Sequence, residues 1–154
     1  MIILVTGDRN WDDISRIKRM FEKLKSIPVS HTIIHGGARG ADTLSGAIAQ
    51  REFSFDVIEV PAHWNHVPGR CPENCKELQG PAAGPIRNRK MLNMNPDRVF
   101  AFHKHIEESK GTKDMIRISL KAGKDVYLDN GISCEKYSGL KGLTKFEELI
   151  KFKR

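Results

Sequence analysis

The chain reads TIIHGGARGAD at residues 32–42, where a β-branched run passes through three glycines into a helical pattern. Glycines permit a tight turn and leave the surrounding backbone N–H groups uncovered. At the start of a helix such N–H groups have no helical partner and lie at the positive end of the helix dipole, so they form an anion site. Arg39 adds a charge-assisted donor to the same turn. The stretch therefore predicts a strand, a phosphate-binding turn and a helix in succession.

The same alternation of strand and helix patterns recurs along the chain. Strand patterns occupy residues 2–6, 32–35, 56–60, 98–102 and 125–128. Helical patterns occupy residues 12–25, 42–51, 84–94 and 113–122. Strands joined by single helices pair in parallel, and right-handed crossovers place helices on both faces of the sheet. We therefore predict an α/β fold, a single Rossmann-like domain whose five-stranded parallel sheet has the order 3-2-1-4-5.

The domain organisation follows from length and from the distribution of proline and glycine. We expect one domain over residues 1–154, with a core at about 1–128. Residues 61–84 contain too many prolines and glycines for a helix and predict an inserted loop at about 65–82. Residues 129–154 form a C-terminal extension in which 130–142 resemble a loop. Thr144 and Glu147 form a capping-box pattern that predicts a final helix over 145–152.

Composition narrows the compartment and the class of partner. No apolar run approaches the roughly 18 residues that a membrane span needs, and the N-terminal run is typical of a strand, so we expect a cytoplasmic protein without a membrane partner. Three cysteines do not make a disulfide framework. The net charge of +7, from 26 basic and 19 acidic residues, favours phosphate-bearing partners without identifying them.

In an open parallel sheet, ligands bind outside the carboxyl ends of the strands. We predict that the ligand-binding residues follow the strands and include Gly7, Asp8, Arg9, Gly36, Gly37, Ala38, Arg39, Gly40, Asp42, Trp64, Arg87, Asn88, Ser109, Gly111 and Thr112. The arginines suit phosphate, Asp8 or Asp42 suits a ribose hydroxyl, and Trp64 suits stacking on a base. The alternative is structural: Asp42 caps its own helix, and Asp12 or Asp13 caps the helix after the first strand.

A second anion cradle is predicted at Ser109, Gly111 and Thr112, after the fourth strand. The same residues also describe an ordinary helix start. Its position favours the interpretation as an anion site, because turns after neighbouring strands converge on one crevice.

Four metal-ligand residue types occur close together at His63, His66, Cys71 and Cys75. Structural zinc usually shows paired close spacings such as C-x2-C, which this stretch lacks. We therefore expect no required cofactor and keep zinc at these four residues as the lesser alternative to inert or redox-sensitive thiols.

The motifs and their order resemble the YspA/YpsA-related group of the SLOG superfamily over about residues 1–128. The resemblance is carried by residues 5–9, 35–42, 64, 83–92 and 109–115. The superfamily also includes the Lonely Guy phosphoribohydrolases and the Smf/DprA DNA-binding proteins. The resemblance implies a nucleotide-binding crevice and a homo-oligomer.

The hydrolase motifs are matched only in part. Arg89 and Lys90 resemble the Arg-Lys pair of the hydrolases, and residues 111–112 resemble the Gly-Thr of their Pro-Gly-Gly-x-Gly-Thr-x-x-Glu motif. Met115 stands where the hydrolases carry their catalytic Glu, which leaves Asp114 as the nearest carboxylate. One residue on a helix is a rotation of about 100°, so we expect Asp114 to point away from the crevice. If the protein is a hydrolase, Arg89 and Asp114 are its candidate catalytic residues.

Three functions follow. We favour a sensor or sequestering module that binds a nucleotide or nucleotide-derived small molecule through its phosphate. The alternative is a nucleoside-monophosphate phosphoribohydrolase, an N-glycosidase in which a carboxylate assists departure of the base. A DNA-binding protein ranks third, because the basic residues are not interleaved with aromatic ones.

Overall fold

The computed structural model describes residues 1–62 and 82–152. Within them the strands are β1 (Ile2–Gly7), β2 (Thr32–His35), β3 (Asp56–Glu59), β4 (Arg98–Phe102), β5 (Asp125–Asp129) and β6 (Cys134–Ser138). The α-helices are α1 (Ile14–Lys25), α2 (Ala41–Glu52), α3 (Ala83–Asn93), α4 (Gly111–Lys121) and α5 (Gly139–Phe152), and a 3-10 turn covers Ile106–Glu108. The described helices include none that is both long and apolar enough to cross a membrane.

The strands form one sheet of order β3-β2-β1-β4-β5-β6. The first five pair in parallel, which confirms the predicted α/β fold and the predicted order 3-2-1-4-5. The sixth strand pairs antiparallel with β5 and was not predicted. Because β1 lies at the centre and the chain order reverses beside it, the carboxyl ends of β1, β2 and β4 meet at one edge of the sheet.

Two apolar layers cover the two faces of the sheet. On one face, α1 and α2 pack over β1, β2 and β4 with Trp11, Phe21 and Phe102 at the centre. On the other face, Met115, Phe146 and Tyr137 belong to a second layer that joins α3, α4 and α5 to the sheet. Among the described residues, the turns at the carboxyl edge of the sheet surround an open crevice, so they can hold a ligand.

The C-terminal extension differs from the prediction. Residues 130–133 form a loop as predicted, but residues 134–138 form a strand and the last helix begins at Gly139, so the predicted loop over 130–142 is wrong beyond residue 133. Thr144 therefore lies inside α5, where its hydroxyl donates to the Leu140 carbonyl, and it caps nothing. Gly142 is not a loop residue either: a Cβ there would lie 2.9 Å from the Tyr137 carbonyl carbon, so glycine lets the helix pack closely on β6.

Candidate functional site

A crevice of about 730 Å³ opens at the carboxyl edge of the sheet. It is lined by many of the predicted ligand-binding residues, namely Gly7, Asp8, Arg9, Ala38, Arg39, Asp42, Arg87, Asn88, Ser109, Gly111 and Thr112. An adjoining cavity of about 420 Å³ reaches Gly36, Gly37 and Pro61. The two cavities share the rim formed by Arg9, Ala38, Arg39 and Arg87. The turns after three strands thus converge, as the topology predicts, and their role in binding stays a prediction.

The turn at residues 36–40 has a backbone that only glycine fits at its end. Gly40 has φ +84°, and a Cβ there would lie 2.3 Å from the Asp8 carbonyl oxygen. That oxygen accepts a hydrogen bond from the Ala41 N–H at 3.1 Å, which locks the turn against the loop after β1. A side chain at residue 40 would therefore push the two loops apart. Gly40 itself lines neither cavity and acts on their shape.

Asp42 holds the same turn from inside. Its side chain is 5% exposed, and its Oδ2 accepts from the Gly36 N–H at 3.0 Å and from the Ala38 N–H at 3.3 Å. Those donors precede the helix, so the prediction that Asp42 caps α2 is wrong. Burial raises the pKa of Asp42 to about 6, and the Arg87 guanidinium opposes that rise. With both hydrogen bonds on Oδ2, Oδ1 is left to carry the proton.

The turn therefore offers fewer donors than its three glycines suggest. Gly36 and Ala38 donate to Asp42, and the Gly37 N–H donates to His35 Nδ1 at 3.0 Å. Within residues 1–62 and 82–152, the N–H groups of Arg39, Gly40 and Asp42 donate to no protein acceptor. These three donors stand at the N-terminus of α2, where the helix dipole favours an anion.

Two exposed arginines stand beside those donors. Arg39 donates from Nε to the Arg9 carbonyl at 3.3 Å and from Nη2 to Asn10 Oδ1 at 3.2 Å. Neither hydrogen bond uses a carboxylate, so the Arg39 charge is not neutralised by them. The Arg9 side chain is exposed and lies on the rim shared by both cavities.

Helix α3 links the two turns through consecutive side chains. Arg87 donates from Nη1 to the Gly36 carbonyl at 2.7 Å, and burial lowers its pKa. Asn88 is 3% exposed and donates from Nδ2 to the Gly111 carbonyl at 3.2 Å and to Asp114 Oδ2 at 2.9 Å. Adjacent residues of a helix diverge, which is why one reaches the turn after β2 and the other reaches α4.

The second turn is built more simply. Ser109 Oγ accepts from the Thr112 N–H at 3.0 Å, which is the ordinary helix start that the sequence also allowed. Gly111 has open space where a Cβ would point. Lys110 and Gly111 line the crevice, so this turn contributes a cation and the end of a helix to it.

The two candidate catalytic residues separate in the structure. Asp114 lines the crevice, so the expectation that it points away is wrong. Met115 faces the core with 0% exposure and sets the rotation of the helix that turns Asp114 outward. Arg89 is exposed and lines neither cavity among the described residues, so its catalytic role stays a prediction.

His103 lines the crevice and was not selected from the sequence. It is 9% exposed, and its Nδ1 accepts from the His105 N–H at 3.0 Å. Burial lowers the pKa of His103, and the Asp8 carboxylate opposes that effect only in part. Its position directly after β4 could have identified His103 as a candidate, by the same rule that selected Asp8 after β1.

Some predicted residues lie outside the described part of the chain. They are Trp64, the zinc candidates His63, His66, Cys71 and Cys75, and residues 65–81 of the predicted inserted loop. Among residues 1–62 and 82–152 there is no group of three or more His, Cys, Asp or Glu side chains placed to hold a metal ion.

The chain has both sequence and structural relatives. The model of the YspA, cpYpsA-related SLOG family matches residues 1–66. The Gene 61 protein of Mycobacterium phage D29 is 31% identical over 126 residues, which cover 79% of this chain and 90% of that protein.

Two solved structures share the fold. DNA processing protein A from Streptococcus pneumoniae superposes with a TM-score of 0.60 at 17% identity, over 97% of this chain and 55% of that one. The same protein from Helicobacter pylori gives a TM-score of 0.62 at 14% identity, over 97% and 72%. The chain thus spans little more than half of the first of these proteins.

Proposed function

The chain belongs to the YspA, cpYpsA-related SLOG family, and on that premise we propose that its crevice binds a nucleotide or nucleotide-derived small molecule through its phosphate. The observation that carries the proposal is the pair of free N–H groups at Arg39 and Asp42, two residues that line the crevice, beside the Arg39 and Arg9 guanidinium groups. Backbone donors at a helix N-terminus and unpaired guanidinium groups are the donors that phosphate oxygens accept from most strongly.

The charge balance of the crevice supports an anionic group at this end. Arg9, Arg39, Arg87 and Lys110 line the cavities, and the Asp42 carboxyl, with its pKa raised to about 6, carries only part of its negative charge near that pH. A bound phosphate neutralises part of the excess positive charge at this end of the crevice.

The size of the crevice fits the rest of a nucleotide. Ligand pockets for small molecules are about 300–1,000 Å³, and the larger cavity measures about 730 Å³. Asp8 and Asp114 also line this cavity, and carboxylate oxygens are suitable acceptors for the hydroxyl groups of a ribose. We therefore infer a ribose position between the α2 N-terminus and α4.

Isothermal titration calorimetry tests the proposal with nucleoside 5′-monophosphates and the matching nucleosides. We expect the monophosphates to bind and the nucleosides to bind at least about tenfold more weakly, since a charge-assisted hydrogen bond contributes roughly 1.5–3 kcal/mol. Arg39→Met should cause a similar loss. Arg51→Met is the matched control, because Arg51 is exposed in the last turn of α2 and lies off the crevice. Equal affinity for nucleosides and monophosphates, or equal loss in both variants, contradicts the proposal.

Single-stranded DNA is a second candidate ligand for the crevice. The observation that favours it is the fold shared with DNA processing protein A from Helicobacter pylori, whose structural report concerns a single-stranded DNA binding mode. A DNA strand presents the same phosphate chemistry as a mononucleotide. A competition experiment distinguishes the two candidates. If a mononucleotide at micromolar concentration displaces a bound oligonucleotide, the two ligands share the crevice. If the oligonucleotide is not displaced, either it binds elsewhere or the crevice does not bind mononucleotides.

A further inference from the structure

A further recess lies against the face of the sheet on which α1 packs. It is a groove of about 370 Å³ between α1 and strands β4, β5 and β6, which we call the α1–β5 groove. Helices α4 and α5 pack on the other face of β5 and β6, through Val126, Leu128 and Tyr137. The face that carries Tyr127 therefore forms the floor of the groove.

The floor is aromatic. Tyr127 is half-buried and meets Phe100 edge-on, with ring centroids 5.6 Å apart. Arg98 and Lys136 hold their charges over the Tyr127 ring, at 5.8 Å and 5.7 Å from its centroid. An aromatic ring on a sheet surface beside positively charged side chains is the kind of platform on which unpaired bases stack in single-stranded nucleic-acid sites.

The walls of the groove carry unneutralised positive charge. Arg19 and Lys23 project from α1 and are exposed, and with Arg98 they have no carboxylate within 4.0 Å among the described residues. The two nearby carboxylates are already engaged: Asp129 pairs with Arg16 at 2.6 Å, and Asp125 pairs with Lys136 at 3.5 Å. The groove therefore presents an excess of cations to an anionic partner.

The charged rim and the aromatic floor run along the strands. Arg98 begins β4 and Asp129 ends β5, so the groove follows about four strand residues, or roughly 13 Å. A groove of that length suits an extended chain whose anionic and flat groups alternate. A phosphodiester strand supplies both groups in each repeating unit, whereas an acidic peptide supplies only the charge.

We propose that the α1–β5 groove binds single-stranded nucleic acid, with a base against Tyr127 and the backbone phosphates at Arg19, Lys23 and Arg98. The proposal does not rest on the ligand of the crevice, because the two recesses have no lining residue in common. It assigns a function to the basic residues of α1, which the phosphate-binding crevice leaves unused.

The test is fluorescence anisotropy of a short labelled oligothymidylate titrated with the full chain at several salt concentrations. Tyr127→Leu should weaken binding about 5- to 100-fold, and Tyr127→Phe should retain it, because stacking on an aromatic ring contributes roughly 1–3 kcal/mol per base. The double variant Arg19→Ala/Lys23→Ala should weaken binding and lower the salt dependence by about one ion per lost phosphate contact.

Charge-matched and site-matched controls make the result decisive. Lys121→Ala/Lys141→Ala removes two exposed lysines from α4 and α5, away from the groove, and should leave the affinity within about twofold. The Arg19 and Lys23 side chains are exposed, so the double variant should keep the unfolding midpoint of the parent chain.

Three outcomes overturn the proposal. The first is unchanged oligothymidylate affinity in both Tyr127→Leu and Arg19→Ala/Lys23→Ala. The second is polyglutamate of equal charge competing as well as unlabelled oligothymidylate, which assigns the groove to any polyanion. The third is loss of oligothymidylate binding in Arg39→Met alone, which assigns the DNA to the crevice. Failure of mononucleotides to bind the crevice leaves this test unaffected, so the two proposals fail separately.

Discussion

The turns after β2 and β4 look alike in sequence and are built differently. Both run through glycine into the start of a helix that lines the crevice. The turn at residues 36–40 is held by the buried Asp42 carboxyl, closed by Arg87 and bent at two glycines with positive φ. The turn at residues 109–112 is held by one serine hydroxyl, and its glycine has open space around it.

The difference shows that a glycine in such a motif is required for the turn only where its backbone conformation or its neighbours leave no room for a side chain. Gly40 and Gly111 have the same sequence signature, yet only Gly40 is needed for the shape of the crevice. We therefore assign the phosphate position to the α2 turn, and we expect the α4 turn to tolerate change.

Gly40→Ala should lower the stability more than any other variant considered. A smaller effect would mean that the two turns do not differ as described. The substitution combines a left-handed φ of +84° with a Cβ 2.3 Å from a backbone oxygen, so we expect the free energy of unfolding to fall by about 4 kcal/mol. Urea denaturation followed by circular dichroism measures it. A loss no larger than that of an exposed helix substitution would show that the two turns are equivalent.

The pH dependence of stability should come next in size, and it isolates Asp42. The folded chain holds this proton with a pKa of about 6, compared with 3.8 in a free side chain, so the folded state binds more protons between those values. The stabilisation is therefore complete below about pH 4 and is lost as the pH rises through 6, by about 3 kcal/mol.

Asp42→Asn provides the control for that prediction. The amide keeps an oxygen for the Gly36 and Ala38 N–H groups and does not titrate. His35 and His103, whose pKa values are lowered by burial, stabilise the folded state as the pH rises through this range, and they are common to both chains. In urea unfolding from pH 4 to pH 7, the stability of the parent chain should therefore fall relative to that of the variant by about 3 kcal/mol. Carboxylates with lowered pKa values, such as Asp125 and Glu147, act in the opposite sense below pH 4 and are also common to both chains. Identical pH profiles would show that Asp42 does not hold the turn as a buried acid.

Asn88→Ala sharpens the comparison by cutting the link between the turns. The variant loses the hydrogen bonds to the Gly111 carbonyl and to Asp114, and also the Asn88 Oδ1 that accepts from Arg87 Nε at 3.1 Å, so we expect a loss of about 2 kcal/mol. Hydrogen exchange should increase at the first turn of α4 and change much less at residues 36–40, because Arg87 keeps its hydrogen bond to the Gly36 carbonyl. Increased exchange in both turns would contradict the separate roles of Arg87 and Asn88.

Gly111→Ala should have the smallest effect, and of opposite sign. Alanine meets nothing within 4 Å at this position and reduces the freedom of the unfolded chain, so stability should rise by about 0.5 kcal/mol. Thermal unfolding measures the change, with Gly40→Ala as its counterpart. A destabilised Gly111→Ala would mean that the second turn is as constrained as the first.

The fold could be predicted from the sequence where a strand carries a β-branched or aromatic run, whether that strand is buried, as β1 is, or mostly exposed, as β3 is. The five parallel strands are β-branched or aromatic runs that alternate with helical stripes, and the structure confirms their order. Strand β6 was not predicted because four of its five residues are exposed and only Tyr137 enters the core. The segment therefore contains no continuous apolar run that would indicate a strand. Antiparallel pairing with β5 forms it, and that pairing is not a local property of residues 134–138.

The residues that line the site could be predicted from the sequence, but the hydrogen bonds between them could not. The rule that ligands bind at the carboxyl ends of the strands selected Asp8, Arg39 and Asn88, all of which line the crevice. The use of Asp42 was missed, because its carboxyl turns back to residues 36 and 38, which depends on the turn having already formed. The outward direction of Asp114 was missed for a related reason: the burial of Met115 sets the rotation of α4.

The most direct test of the account is a ¹H–¹⁵N correlation spectrum of the chain titrated with a nucleoside 5′-monophosphate. We predict saturable downfield shifts of the Arg39 and Asp42 amides, which belong to residues that line the crevice and are free to donate to the phosphate. The Gly36 and Ala38 amides, which already donate to Asp42, should move much less. The contrary result is a spectrum in which the Arg39 and Asp42 amides stay in place while Gly36 and Ala38 shift, or in which none of the four responds; either would show that the α2 turn does not hold the phosphate.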